Sequence, residues 1–182
     1  MNLKIEEYKT ANISAINSLD NKLIVNFNEV IKSALDSDNV IYLAGNGGSF
    51  STASHAVCDF TKGINTNRGS KLRVHCLLDS IPLLTAWSND LDYKFAVAKA
   101  LSVYQRPKDI LFIISGSGNS ENLIEAAKES KRVGNKVVSL TGFNGGNIKT
   151  LSDFNINVPS NNMQVIENIH LLLIHLIFKL QE

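Results

Sequence analysis

Short apolar runs alternate with amphipathic stretches along most of this chain. Five of these runs are rich in residues that favour strands and end at glycine or other turn-forming residues, so they predict β-strands. Between the runs, apolar residues recur every three or four positions, as on one face of a helix. The predicted strands are residues 40–44, 71–78, 109–115, 136–141 and 154–158. This order predicts an α/β fold, a doubly wound parallel five-stranded sheet flanked by helices.

Further helices are predicted outside this alternation. Residues 3–37 show the pattern of one or two amphipathic helices, whose apolar stripe can pack either on the chain's own sheet or on a partner subunit. Residues 162–180 predict a last helix that is mostly buried. A mixed segment, residues 83–103, is predicted to be helical from about Asp90, with Asn89 and Asp90 as its N-terminal cap.

No linker or low-complexity tract divides the chain. We therefore predict one domain, residues 1–182, with leading helices over residues 1–37 and an α/β core over residues 38–182.

Composition narrows the classes of partner. A formal net charge of +1, from 18 basic and 17 acidic residues, is too balanced for non-specific nucleic-acid binding, so no nucleic-acid partner is expected. Cys58 and Cys76 form neither a metal-knuckle spacing nor a disulfide framework. The charged N-terminus and the lack of an apolar run of about 18 residues predict no signal peptide and no membrane span. We expect a cytoplasmic protein without a membrane partner.

A strand, a glycine turn and a helix follow one another directly over residues 40–63, an arrangement that favours anion binding. Gly47 and Gly48 allow a positive φ and a close approach of the backbone to a ligand, while Asn46 and Ser49 bring polar side chains. The N-terminus of the following helix would favour an anion such as phosphate.

A second turn, residues 115–121, follows the most apolar of the predicted strands. Ser115, Ser117 and Ser120 place three hydroxyls ahead of another helix N-terminus, which suits a phosphate monoester. The turn lacks the lysine of a Walker A loop and the spacing of a nucleophile elbow. Each turn could simply cap its own helix, but two such turns after two strands favour a phosphorylated ligand.

A dinucleotide site is a weaker interpretation of the first turn. The spacing Gly-x-Gly-x-x-Gly is absent, and Asp79 comes later than the acidic residue of that fingerprint.

Four residues could gather around a cation. His55 and Asp59 are four residues apart and share a helix face, and Glu167 and His175 are eight apart on one broad side of the last helix. Two imidazoles and two carboxylates suit Zn²⁺ or a similar divalent ion, provided that the two helices meet. A single histidine is more often structural, and His170, rotated by roughly 140° from His175, is a poorer candidate.

Several motifs together resemble the sugar isomerase (SIS) domain family. They are GNGGS before a helix that carries His-x-x-x-acid, SGSGNS after a buried strand, LTGFNGG after the next strand, and VIENIHLLLIH near the end. The resemblance spans essentially the whole chain and is greatest to members that isomerise heptose phosphates. It implies an aldose–ketose isomerase acting on a sugar phosphate, cytoplasmic and homotetrameric, with a zinc ion in a site between subunits and a product used for surface polysaccharide.

The resemblance also implies roles for individual residues. The phosphosugar would be bound by Asn46, Gly47, Gly48, Ser49, Ser115, Gly116, Ser117 and Ser120, with Asn89, Asp90 and Glu167 contacting the sugar. The metal positions would be His55, Asp59, Glu167 and His175.

The chain departs from the family pattern at four positions. The family usually has glutamate at Asp59, glutamine at Glu167, threonine at Gly116 and aspartate at Gln164. Asp59 is one methylene shorter than the usual acid–base catalyst, and a displacement of about 1 Å can cost on the order of 100-fold in rate. The extra negative charge of Glu167 should strengthen cation binding.

Two functional hypotheses follow. In the first, the protein is an isomerase in which Asp59 and His175 transfer protons through an enediol, while a metal polarises the sugar oxygens. In the alternative, it is a non-catalytic phosphosugar-binding regulator or scaffold on the same fold. The four potential metal ligands favour the enzyme, because a scaffold does not need them.

Overall fold

The computed structural model describes residues 1–68 and 71–181, apart from the side chains of residues 67 and 68. In chain order the elements are α1 (Asn2–Asn17), α2 (Asn21–Leu35), β1 (Val40–Ala44), α3 (Gly48–Cys58), a π-helical turn (Asp59–Ile64), α4 (Asn65–Arg68), β2 (Arg73–Cys76), α5 (Ile81–Asp90), α6 (Tyr93–Tyr104), β3 (Ile110–Ser115), α7 (Glu121–Arg132), β4 (Lys136–Gly142), α8 (Gly146–Leu151), β5 (Phe154–Val158) and α9 (Met163–Gln181).

The five strands form one sheet in the order β2-β1-β3-β4-β5, and every neighbouring pair is parallel. Ile41 of β1, for example, pairs with Val74 of β2 on one side and with Ile110 of β3 on the other. The predicted parallel five-stranded sheet is therefore confirmed. The chain changes direction across the sheet between β1 and β3, and a crevice opens outside the carboxyl ends of strands at such a point.

Each face of the sheet packs against its own set of helices, as the doubly wound prediction requires. On one face, α2, α3 and α9 cover a core in which the rings of Phe27 and Phe112 meet edge to face, with centroids 5.0 Å apart. On the other face, α6, α7 and α8 cover a second core that contains Leu101, Leu111 and Leu123. Burial of the sheet on both faces explains why its inner strands β1 and β3 are nearly continuous apolar runs.

The last helix, α9, is central to the first of these cores. By length and composition alone it is apolar enough to cross a membrane, although Glu167, His170 and His175 interrupt its apolar residues. Its apolar residues have another use, however: Ile169, Leu173 and Ile177 are buried against the rest of the chain. Core packing accounts for the hydropathy of the helix.

The segment over residues 83–103 differs from its prediction. Two helices, α5 and α6, occupy it. Helix α5 starts well before Asp90, and Pro82 lies in its first turn, a position that suits proline. The predicted cap at Asn89 and Asp90 is wrong: both residues end α5, and the cap of α6 is Asp92, whose carboxylate accepts from the Lys94 N–H at 2.8 Å.

His170 shows what burial does to a titratable group in α9. Its Nε2–H donates to the Thr141 carbonyl at 3.1 Å, while Nδ1 has no hydrogen-bond partner among the described residues. Burial lowers the pKa of His170 to about 4, so the imidazole is neutral near pH 7 and has a structural role.

The free energy of unfolding should fall by roughly 2 kcal/mol between pH 7 and pH 4.5 because of His170. In this window the unfolded chain binds a proton at the ordinary histidine pKa of about 6.5, whereas the folded chain binds it only near pH 4. Protonation therefore favours the unfolded state as the pH falls. Urea denaturation at several pH values measures this slope, and His170→Gln should flatten it. An unchanged slope in that variant would mean that other groups cause the pH dependence.

Candidate functional site

A cavity of about 270 Å³ opens at the crevice between the carboxyl ends of β1 and β3, and we call it the β1–β3 cavity. It is lined by nine of the eleven residues predicted to bind substrate, namely Asn46, Gly47, Gly48, Ser49, Ser115, Gly116, Ser117, Ser120 and Glu167. The two glycine turns, which are far apart in sequence, thus form opposite walls of one site.

The first wall is the N-terminus of α3. Gly47 precedes the helix with φ +53° and ψ −122°, a conformation that residues with a side chain rarely adopt. Gly47 has no side chain to cap α3, and the N–H groups of Ser49 and Phe50 donate to the Asn46 carbonyl at 3.0 and 3.3 Å. The helix dipole favours an anion at this end.

The second wall is the turn before α7, and it is fixed by the neighbouring loop. Ser115 Oγ accepts from the Gly118 N–H at 3.2 Å, and Gly118 has φ +65°. The Gly118 carbonyl accepts from the Ile148 N–H at 2.9 Å, and a Cβ at Gly118 would overlap the Gly145 carbonyl. Ser120 precedes α7 without capping it through its side chain, so its hydroxyl is available to a ligand.

Glu167 of α9 lines the β1–β3 cavity and lies against the N-terminus of α3. A Cβ at Gly48 would lie 2.6 Å from Glu167 Oε1 and 2.7 Å from Oε2, so glycine is needed for this approach. The carboxylate therefore lies at the positive end of the α3 dipole, which favours a negative charge.

Asn89 and Asp90, the two remaining predicted sugar contacts, do not line the cavity of their own chain. Both are exposed at the end of α5, where Asn89 Nδ2 donates to Asp90 Oδ1 at 3.0 Å.

Gly116 packs directly against a residue of α9, with no space left for a side chain at position 116. A side chain at this position would overlap Met163 Sδ, and Met163 itself lines the β1–β3 cavity. The thioether thus fills the space that a side chain at position 116 would need.

Asn122 is a site residue that sequence analysis missed. It lies in the first turn of α7, where it is buried, and it exchanges two hydrogen bonds with Asn46. The available signal was a polar residue on the buried side of an amphipathic helix, next to Leu123 and Ala126.

His55, Asp59 and His175 form a compact group, which we call the His–Asp cluster. The two Nε2 atoms are 2.9 Å apart, and Asp59 Oδ2 is 3.2 Å from His55 Nε2 and 3.9 Å from His175 Nε2. Three of the four predicted metal ligands therefore meet. The fourth, Glu167, lies outside this cluster against Gly48.

The donor set of the His–Asp cluster fits a zinc ion. Ligand atoms around a tetrahedral zinc with bonds of about 2.0–2.1 Å lie about 3.3 Å from one another. The three separations in the cluster, from 2.9 to 3.9 Å, bracket this value. Three protein ligands leave a fourth position open, as in catalytic zinc sites.

A π-helical turn presents Asp59 to α9. The turn begins at Asp59 itself, directly after α3, and such turns are frequent at functional sites. Phe60 and Ile64 are fully buried, and Gly63 packs so closely on Phe178 of α9 that a Cβ would overlap the ring. This contact aligns the turn with the helix that carries His175.

Comparison with known proteins identifies the family. The family model of the SIS domain matches residues 6–142. Phosphoheptose isomerase of Leptospira biflexa is 34% identical over 155 residues, which are 85% of this chain and 80% of the relative. The corresponding enzyme of Mycobacterium tuberculosis is 39% identical over 137 residues, 75% of this chain and 69% of the relative. The structure of phosphoheptose isomerase from Neisseria gonorrhoeae superposes with a TM-score of 0.89 at 31% identity, covering 99% of this chain and 96% of that chain. The chain belongs to the SIS domain family.

Gly116→Thr should lower the free energy of unfolding by about 1–3 kcal/mol, because the new side chain overpacks against Met163. Adding Met163→Ala should recover most of this loss, since the displaced thioether is then absent. Urea denaturation of the two single variants and the double variant measures the coupling, with Met163→Ala alone as the control. A double variant no more stable than Gly116→Thr would show that the two positions are not matched.

Proposed function

We propose that this protein is a phosphoheptose isomerase, which converts sedoheptulose 7-phosphate into D-glycero-D-manno-heptose 7-phosphate. The observation that carries the proposal is the meeting of His55, Asp59 and His175 beside two helices, α3 and α9, that also border the β1–β3 cavity. The relatives with 34% and 39% identity have this activity in their names, which supports the same chemistry here.

The spacing along the two helices supports a long sugar phosphate. Gly48 and His55 are seven residues apart on α3, and Glu167 and His175 are eight apart on α9. At the rise of an α-helix, both spacings correspond to roughly 10–12 Å between the β1–β3 cavity and the His–Asp cluster. An extended seven-carbon sugar can span this separation with its 7-phosphate at the Ser115–Ser120 turn and its first two carbons at the cluster.

The residues of the cluster can move the protons that isomerisation requires. Ketose becomes aldose when one proton passes from C1 to C2 and another passes between the two oxygens, through an enediol. Asp59 Oδ2 faces both imidazoles, which leaves Oδ1 to take the C1 proton and return it to C2. His175 can then exchange a proton with the oxygens on these carbons through Nδ1, because its Nε2 faces the other two residues of the cluster.

Zinc is part of the proposal, with one ion per subunit. His55, Asp59 and His175 would hold the ion. A bound zinc ion would polarise the carbonyl and hydroxyl oxygens of the sugar and so stabilise negative charge on them.

The alternative, a non-catalytic phosphosugar-binding regulator or scaffold, has less support. It would need the β1–β3 cavity but not the His–Asp cluster. The cluster is therefore the feature that distinguishes the two functions. A regulator would bind sugar phosphate without turnover, and its binding would not depend on Asp59.

Self-association is also proposed, as a homotetramer or a homodimer in the cytoplasm. Helix α1 leaves apolar side chains uncovered, among them Leu3, 73% exposed, and Ile13, 58% exposed. A second copy of the chain could bury this surface and bring Asn89 and Asp90 to a neighbouring cavity. Analytical ultracentrifugation distinguishes the two assemblies from a monomer.

Purified protein supplied with zinc should convert sedoheptulose 7-phosphate to the aldose, and Asp59→Asn should lower kcat by about 100-fold or more, because the proton acceptor is lost. Coupled detection of the aldose measures turnover. Asp36→Asn, at the exposed end of α2, is the matched control and should retain full activity. Binding of the substrate without any turnover by the unmodified protein would instead support the regulator.

About one zinc ion per chain should remain after dialysis, and His175→Ala should abolish this binding, because three protein ligands are the usual minimum for catalytic zinc. Glu167→Gln should keep the ion, since the Glu167 carboxylate lies outside the cluster. Metal analysis of the dialysed proteins gives both stoichiometries. Loss of zinc in Glu167→Gln together with retention in His175→Ala would contradict the assigned ligands.

A further inference from the structure

The reciprocal pair between Asn46 and Asn122 spans the floor of the crevice. Asn46 lies in the turn after β1, and Asn122 lies in the first turn of α7, after β3. Asn46 Nδ2 donates to Asn122 Oδ1 at 2.9 Å, and Asn122 Nδ2 donates to Asn46 Oδ1 at 2.8 Å. The pair therefore ties together the two turns that form opposite walls of the β1–β3 cavity.

Tyr93 at the start of α6 adds a third hydrogen bond to this pair. Its hydroxyl donates to Asn46 Oδ1 at 2.7 Å, so the Asn46 oxygen accepts two hydrogen bonds and its lone pairs are both used. Asn46 Nδ2 uses one of its two protons on Asn122. The amide of Asn46 therefore offers an N–H donor, and not an acceptor, to a ligand in the cavity.

The burial of Asn122 shows that it acts through Asn46. Its side chain is only 3% exposed and does not line the β1–β3 cavity, whereas Asn46 does. A buried amide is costly unless both of its polar atoms are bonded, so Asn122 holds Asn46 in one orientation rather than allowing it to rotate.

We propose that Asn122 is a positioning residue that, with Tyr93, fixes the Asn46 amide as a hydrogen-bond donor to an oxygen of the sugar phosphate. This assignment rests on the proposed function for the identity of the ligand, but the hydrogen-bonded pair exists without it. Fixing the donor before binding avoids the cost of ordering it when the substrate arrives, so the effect should fall on KM more than on kcat.

The test compares Asn122→Leu with Asn135→Leu. Asn135 follows the other end of α7, is also 3% exposed, and donates to Gln105 Oε1 at 3.1 Å, far from the cavity. Both variants lose a buried amide, so they control for stability. Asn122→Leu should raise KM for sedoheptulose 7-phosphate about tenfold or more, with a smaller change in kcat, while Asn135→Leu should leave KM unchanged. Tyr93→Phe should have a smaller effect in the same direction.

A double-mutant cycle separates positioning from a general structural role. In an Asn46→Ala background, Asn122→Leu should raise KM no further, because the group that it positions is gone. A full additional rise in that background, or equal KM values for Asn122→Leu and Asn135→Leu, would overturn the proposal. Absence of turnover in the unmodified protein would instead contradict the proposed function.

A second readout needs no substrate. In ¹⁵N NMR spectra, the Asn46 Nδ2 proton that donates to Asn122 should exchange with water more slowly than the other Nδ2 proton in the unmodified protein, and this difference should disappear in Asn122→Leu. Unchanged exchange in that variant would overturn the positioning role whatever the enzyme assay shows.

Discussion

The packing of α9 against α3 and the π-helical turn is the contact on which the site depends. Gly63 lies directly under the ring of Phe178, so the turn and the helix approach more closely than any residue with a side chain would allow. This approach brings His175 to His55, 120 residues earlier in the chain. Because α9 also contributes Ile169 and Leu173 to the core, the helix that stabilises one face of the sheet is the helix that completes the site.

Much of the fold and of the cavity could be predicted because the signals are local. A strand that is buried on both faces must be apolar along its length, and this pattern located β1 and β3 almost to the residue. The cavity followed because the carboxyl ends of parallel strands share one edge, so turns such as Ser115–Ser120 must lie near the first glycine turn.

Features that depend on tertiary packing could not be predicted in the same way. Spacing could place His55 and Asp59 on one face, but only the packing of two distant helices decides that His175 joins them and Glu167 does not. The position of Glu167 depends on the missing side chain of Gly48, and the role of Asn122 depends on a partner 76 residues away. The apolar pattern did not separate α5 from α6, because the residue that caps α6 is Asp92, two residues after Asp90.

Three of the four departures from the pattern that the resemblance implies, at positions 59, 116 and 167, change how a side chain fills or charges the crevice. The shorter Asp59 remains in contact with His55 across 3.2 Å, and Glu167 is placed where the dipole of α3 favours its charge. Met163 fills the space beside Gly116. These residues line a crevice that extends along α3 from the β1–β3 cavity to the His–Asp cluster.

The central claim is that one substrate reaches both ends of this crevice. A crystal structure of the Asp59→Asn variant with sedoheptulose 7-phosphate tests it most directly, because the substrate would be held without turnover. The account predicts the phosphate against Ser117 and Ser120 and the first two sugar carbons in contact with His175 and position 59. A phosphate outside the Ser115–Ser120 turn, or a sugar chain directed away from His175, would contradict it.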